Sequence, residues 1–105
     1  MIKYGSEQVS HLRFASFDAR LERRNEQWID VVLRFELAAG SDETPADLID
    51  LTALVICTHQ GQIAQIVPQD EEIDCEYQFT SEEKVQITAY IESPTMQSRI
   101  RQAAG

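Results

Sequence analysis

The dominant hydrophobic period along this chain is two. From Trp28 to Leu37, residues Ile29, Val31, Leu33, Phe35 and Leu37 fall on one side and Trp28, Asp30, Val32, Arg34 and Glu36 on the other, which predicts a half-buried strand. Upstream, Leu12 and Phe14 share one phase while Phe17, Ala19 and Leu21 share the opposite one. A strand over His11 to Glu22 must therefore bulge near Ala15 and Ser16, or break there. Arg23-Arg24-Asn25-Glu26 supplies the polar turn between the two.

Past Gly40 the pattern changes. Thr44 as N-cap, Pro45 in the first helical position and Asp47 three residues after Thr44 predict a short helical turn near residues 45–50. Leu51 to Thr58 is apolar on both faces and carries the β-branched Val55, Ile56 and Thr58, which favours a fully buried strand; a helix from Ala46 to Cys57 is the alternative. His59-Gln60-Gly61-Gln62 has the length and the glycine of a hairpin loop, returning the chain as Ile63 to Val67 until Pro68 ends the pairing. In Asp70 to Phe79 the alternation is clean, with Ile73, Cys75, Tyr77 and Phe79 toward the core and Asp70, Glu72, Asp74 and Glu76 toward solvent. Thr80 to Lys84 reads as a turn, and Val85, Ile87, Ala89 and Ile91 as a last strand stopped by Ser93-Pro94. Met96 and Ile100, four apart, predict a short C-terminal helix over a sheet edge.

Six or seven strands joined by short polar turns predict an all-β fold, an antiparallel sandwich or a strongly curved sheet, with an α+β antiparallel sheet as the alternative. A chain of 105 residues and 12.0 kDa has room for one core, so residues 1–105 read as a single domain. No apolar run approaches the roughly 20 residues of a membrane helix, and Met1 to Ser10 lacks the apolar stretch of a secretory signal. Cys57 and Cys75 are too few for a disulfide scaffold, so the expected setting is a reducing one, the cytoplasm.

The Trp-led Val-Val-Leu-Arg strand (Trp28 to Leu37), the acidic turn after it (Ser41 to Glu43) and the apolar strand with its Gln-Gly hairpin (Leu54 to Ile66, with His59-Gln60-Gly61-Gln62 at the tip) resemble the SecB export chaperone family. The resemblance covers roughly residues 28–67. It implies a sheet able to hold on to other chains. That family continues into long helices, whereas Asp70 to Phe79 and Val85 to Ile91 read here as strands.

Charge sharpens the picture. Met1 to Gly40 is neutral, with six acids and six bases, while Ser41 to Glu92 holds twelve acids against Lys84 alone; the whole chain carries −9. Such a field repels phosphate backbones and anionic lipid, so neither direct nucleic-acid binding nor membrane binding is expected. A basic protein surface is the natural partner. The row Asp70, Glu72, Asp74 and Glu76 is the candidate partner-binding site, able to occupy a cationic groove; the alternative is a solvent face kept charged against aggregation. Leu51, Ala53 and Val55, on a strand apolar on both faces, are the candidate homodimer interface.

Catalytic chemistry finds little footing. Cys57 and His59 stand two apart on one strand face, but a small buried cysteine beside a hairpin-tip histidine is the commoner arrangement. Cys57, His59, Cys75 and His11 are the right residue types for zinc and lack its close ligand pairs. On an extended strand the acidic row members stand about 6.6 Å apart, too far for one hard cation to gather several of them. No phosphate-cradling glycine loop can be assembled from 4 scattered glycines. The expectation is a non-enzymatic protein with no cofactor and no metal: an inhibitor, immunity factor or adaptor binding through its acidic 41–92 region, or else a chaperone-like or structural homo-oligomer.

Overall fold

The computed structural model describes residues 1–105. In chain order it contains β1 (Ile2–Lys3), β2 (Phe14–Arg23), β3 (Trp28–Leu37), β4 (Leu51–Thr58), β5 (Ile63–Asp70), β6 (Ile73–Asp74), β7 (Tyr77–Gln78), α1 (Ser81–Ile91) and α2 (Pro94–Ala104). Strands β2-β3-β4-β5-β6 form one antiparallel meander and β1 pairs with β7 in a two-stranded sheet. The chain is therefore β-rich with helices at its C-terminal end. No helix is long and apolar enough to cross a membrane.

Strand β3 occupies the span its alternation predicts, and Ile29, Val31 and Leu33 are fully buried. Opposite them, Ala53, Val55 and Cys57 of β4 are equally buried. The register of β2 on β3 shifts between Phe14 and Ser16, placing the bulge where the two hydrophobic phases meet. Ile87, Ile91, Met96 and Ile100 from the helices close the core over this face, joined by Met1, Leu12 and Phe79. Helix α2 is hooked to the β4–β5 hairpin by Gln97, whose Nε2 donates to the Gly61 carbonyl at 3.1 Å. Gly61 is required there: its φ is +90°, and a Cβ would sit 2.2 Å from the Gln97 side chain.

Three predicted elements are corrected. Val85 to Ile91 is helix, not strand. Thr80 caps it: its hydroxyl accepts from Glu83 N and Glu83 Oε1 accepts from Thr80 N, a reciprocal box that starts α1. Ile87 and Ile91 are buried one helical turn apart while Val85 points to solvent, so the alternation over 85–91 coincides with a helical stripe. Ser93-Pro94 opens α2, with Ser93 as N-cap and Pro94 in its first turn. Asp70 to Phe79 is not one strand: the chain reverses at Glu71-Glu72, and Ile73 is 72% exposed instead of facing the core. Pro68 does not end β5; it pairs with Ala53 on a stretch whose only strand neighbour is β4, where a missing N–H is tolerated. Residues 45–50 hold a single turn, with Leu48 N donating to Pro45 O at 3.0 Å.

Glu83 ties the N-terminal segment to the start of α1. Its carboxylate is fully buried and accepts from the Met1 α-amino group (2.7 and 2.8 Å), from Leu12 N (2.8 Å) and from Thr80 N (2.8 Å). A buried carboxylate is tolerable only when paired and fully hydrogen-bonded, and here it is both.

The other face of the large sheet carries no helix. Across it run Asp18 and Arg20 of β2, Val32 and Arg34 of β3, Leu54 of β4 and Val67 of β5, in register. Arg20 Nη2 and Glu72 Oε1, from beyond the end of β5, meet at 3.2 Å. Leu54 and Thr52 are shielded from water on this side although no helix covers them.

Candidate protein interface

The β5–β6 hairpin is built on a two-residue turn. Asp70 pairs with Ile73, and Glu71 and Glu72 between them have φ of +51° and +67°. This left-handed geometry suits the twist of a hairpin but normally selects Asn-Gly, so two glutamates there store strain. The turn is held by the neighbouring loop. Asp70 Oδ1 accepts from Ile49 N (2.9 Å) and Asp50 N (2.7 Å), and Glu71 N donates to Asp50 O at 3.1 Å. Asp50 is in turn gripped by both nitrogens of the Arg34 fork at 2.7 and 3.2 Å, which lowers the Asp50 pKa and raises that of Arg34.

These ties fix Ile49 beside the hairpin, and Ile49 and Ile73 are 78% and 72% exposed, the two most exposed large hydrophobics of the chain. Glu71, Glu72 and Asp74 on the same hairpin are exposed as well. Of the four acids predicted as a partner-binding row, Asp70 is half-buried and spent on the loop, Glu72 pairs with Arg20, and Asp74 accepts from Gln69 Nε2 at 3.0 Å. The Glu76 side chain is exposed, while its backbone carbonyl accepts from Tyr4 N. Asp70, Glu72 and Asp74 lie at the β5–β6 turn and Glu76 lies beyond it beside the small sheet, so the four do not stand along one strand face. The hydrophobic pattern does not foretell the exposed isoleucines, and nothing in Glu71-Glu72 marks the turn that exposes Ile73, since such a turn normally selects Asn-Gly.

Of the residues predicted for a homodimer interface, Ala53 and Val55 are completely buried in this chain's own core and Leu51 is half-buried against it. The helices supply the cover that a second copy was expected to provide.

A second network joins the small sheet to the 44–48 turn. Asp47 accepts from Lys3 Nζ (3.0 Å) and from the Tyr77 hydroxyl (2.5 Å). The Tyr77 and Lys3 hydrogen bonds lower the Asp47 pKa, and the Asp47 carboxylate pushes Tyr77 up to about 12.

The nucleophile and metal candidates are not brought together. Burial pushes the Cys57 thiol up to about 11, the reverse of an activated thiolate. Cys75 Sγ lies against the Pro68 carbonyl, a ring nitrogen of His59 meets the Asn25 carbonyl at 3.0 Å, and His11 lines an open hollow of ≈ 690 Å³ with Arg13, Asp42 and Glu82. In that hollow the Asp42 carboxylate is engaged by the His11 backbone N–H, a structural use. No three His, Cys, Asp or Glu side chains converge as a metal site. Compared with known proteins, the chain matches no family model, no curated protein and no solved structure.

Proposed function

We propose that this protein acts by binding, without turnover, a protein partner whose surface is basic around an apolar centre. The contact is made by the Ile49/Ile73 tip. The observation that carries this reading is that two well-exposed isoleucines stand on segments tied to each other through Asp70, Ile73 on the strained hairpin and Ile49 on the loop hydrogen-bonded to it, with exposed Glu71, Glu72 and Asp74 on the same hairpin. That arrangement has the anatomy of a recognition surface: apolar groups to be desolvated at the centre and charge at the rim to orient the approach. The concentration of twelve acids within residues 41–92 supplies long-range attraction toward a cationic partner and repels nucleic acid. An inhibitor, immunity factor or adaptor of a basic protein fits this chemistry, working in a reducing cytoplasm where Cys57 and Cys75 stay free.

The test uses immobilised parent protein beside two variants, Ile49→Ser/Ile73→Ser and Glu71→Gln/Asp74→Asn/Glu76→Gln, each first shown to melt like the parent. The parent retains a basic partner, the isoleucine variant loses it, and the neutralised variant binds it more slowly and with less dependence on salt. Equal retention by all three proteins refutes the tip as the binding surface.

A further inference from the structure

The first strand of the large sheet carries a second, independent surface. β2 is an edge, ten residues long, with β3 on one side and no strand on the other. Its outward-facing groups follow from the ladder. Arg24 N donates to Trp28 O, which makes residues whose numbers sum to 52 and are even the bonded pairs: Glu22 with Asp30, Arg20 with Val32, Asp18 with Arg34. Phe17, Ala19 and Leu21 therefore aim their N–H and C=O away from β3. The Ala19 carbonyl agrees, since its partner is the Arg99 guanidinium at 2.9 Å, reaching round from α2. The edge is blunted at two points only, there and at Phe14, whose N–H is taken by Gln86.

We infer that β2 pairs antiparallel with β2 of a second copy of this chain, about a two-fold axis at Ala19, joining two five-stranded sheets into one. The strand is self-complementary about that axis. Asp18 stands opposite the second copy's Arg20, and Arg20 opposite its Asp18, on the helix-free face. Phe17 meets Leu21 on the helix side, where both are only half-buried in the single chain. Phe17, Ala19 and Leu21 are also the residues whose backbone groups point outward to exchange bonds, all of them open but the Ala19 carbonyl that Arg99 holds. Moving the axis by one residue sets Asp18 against Asp18 or Arg20 against Arg20, so charge opposes the adjacent registers. Centring on Leu21 instead pairs a shorter stretch of strand. The guanidinium of Arg99 yields its bond on Ala19 to the incoming N–H. Like-for-like pairing of this kind closes as a dimer and removes the longest open edge of the molecule.

Charge exchange tests this without relying on a damaged fold. Asp18→Arg and Arg20→Asp are made singly, each checked for a parental cooperative melt, and studied by sedimentation with the parent at micromolar to high-micromolar concentration. The parent forms a reversible dimer, and each variant alone dissociates about tenfold or more readily, because like charges now face each other twice. An equimolar mixture of the two variants restores the dimer, since the two arginines of one variant's strand then face the two aspartates of the other's. A parent that stays monomeric, a variant that dimerises like the parent, or a mixture that stays monomeric each overturns the proposal.

Discussion

Glu83 and the Glu71-Glu72 turn carry the same chemical group, and the fold treats them oppositely. Glu83 is withdrawn from water and saturated by donors from Met1, Leu12 and Thr80, so its charge is spent on joining α1 to the N-terminal segment. Glu71 and Glu72 stand in solvent in a conformation that penalises them. One carboxylate holds the molecule together; the backbone of the other two is strained. A strained turn beside exposed apolar residues is the feature on which the proposed binding surface rests.

The largest expected effect breaks the first half of that comparison. Glu83→Gln leaves the Met1 ammonium buried without its counter-charge, which should cost about 3–5 kcal/mol, a large share of the stability of a small domain. Thermal melting followed by circular dichroism checks it, and a melt within a few degrees of the parent would refute the anchoring role.

The second half predicts a change of opposite sign. Replacing Glu71 by Asn and Glu72 by Gly relieves the left-handed strain and should raise stability by about 1–2 kcal/mol, less the small contribution of the exposed Arg20–Glu72 pair. Chemical denaturation of the double variant measures it. A destabilised double variant would mean that these glutamates support the hairpin.

Thr52 offers an intermediate case on the helix-free face. It is fully buried, and its hydroxyl oxygen has no hydrogen-bond partner. The nearly isosteric Thr52→Val should be neutral or stabilising by up to about 1 kcal/mol, since no bond is lost and a desolvated polar atom is removed. A clear loss of stability in the same denaturation assay contradicts this.

The smallest effect is in the pH dependence of the loops that brace the tip. The folded pKa values of Asp47 and Asp50 are depressed, so what these groups contribute is complete above the ordinary aspartate value of about 3.9 and is lost as acid titrates them through their lower folded values. Tyr77 is raised, so its contribution is present below the ordinary tyrosine value and lost as pH rises through about 12. Ultraviolet titration should show the Tyr77 phenol moving back toward the ordinary value in Asp47→Asn.

How much of the fold is legible in the sequence depends on which signals compete at each place. In Trp28 to Leu37 propensity, period and burial agree, and the strand stands over the expected span. The bulge at Phe14–Ser16 is visible as a phase change, and the hairpin at His59 to Gln62 as a glycine at the right spacing. At Val85 to Ile91 an alternating set also contains an i, i+4 pair, and the deciding signal is the Thr80-x-x-Glu83 capping box, which reads as a turn when only period two is sought. At Asp70 to Phe79 the alternation is real but carries no information about a reversal made by two glutamates in the left-handed region, a conformation that sequence rules reserve for glycine and asparagine. The carboxylates of the candidate site are legible; the isoleucines are not, because Ile73 is exposed only as a consequence of that turn.

Whether the hairpin tip is the binding surface is read most directly by hydrogen exchange of the protein alone and in complex with the basic partner it retains. Added protection is expected at Ile49-Asp50 and Asp70 to Glu76 only, with the β3–β4 core unchanged. Protection that lies elsewhere and leaves the hairpin tip exchanging as fast as in the free protein would contradict binding through the tip.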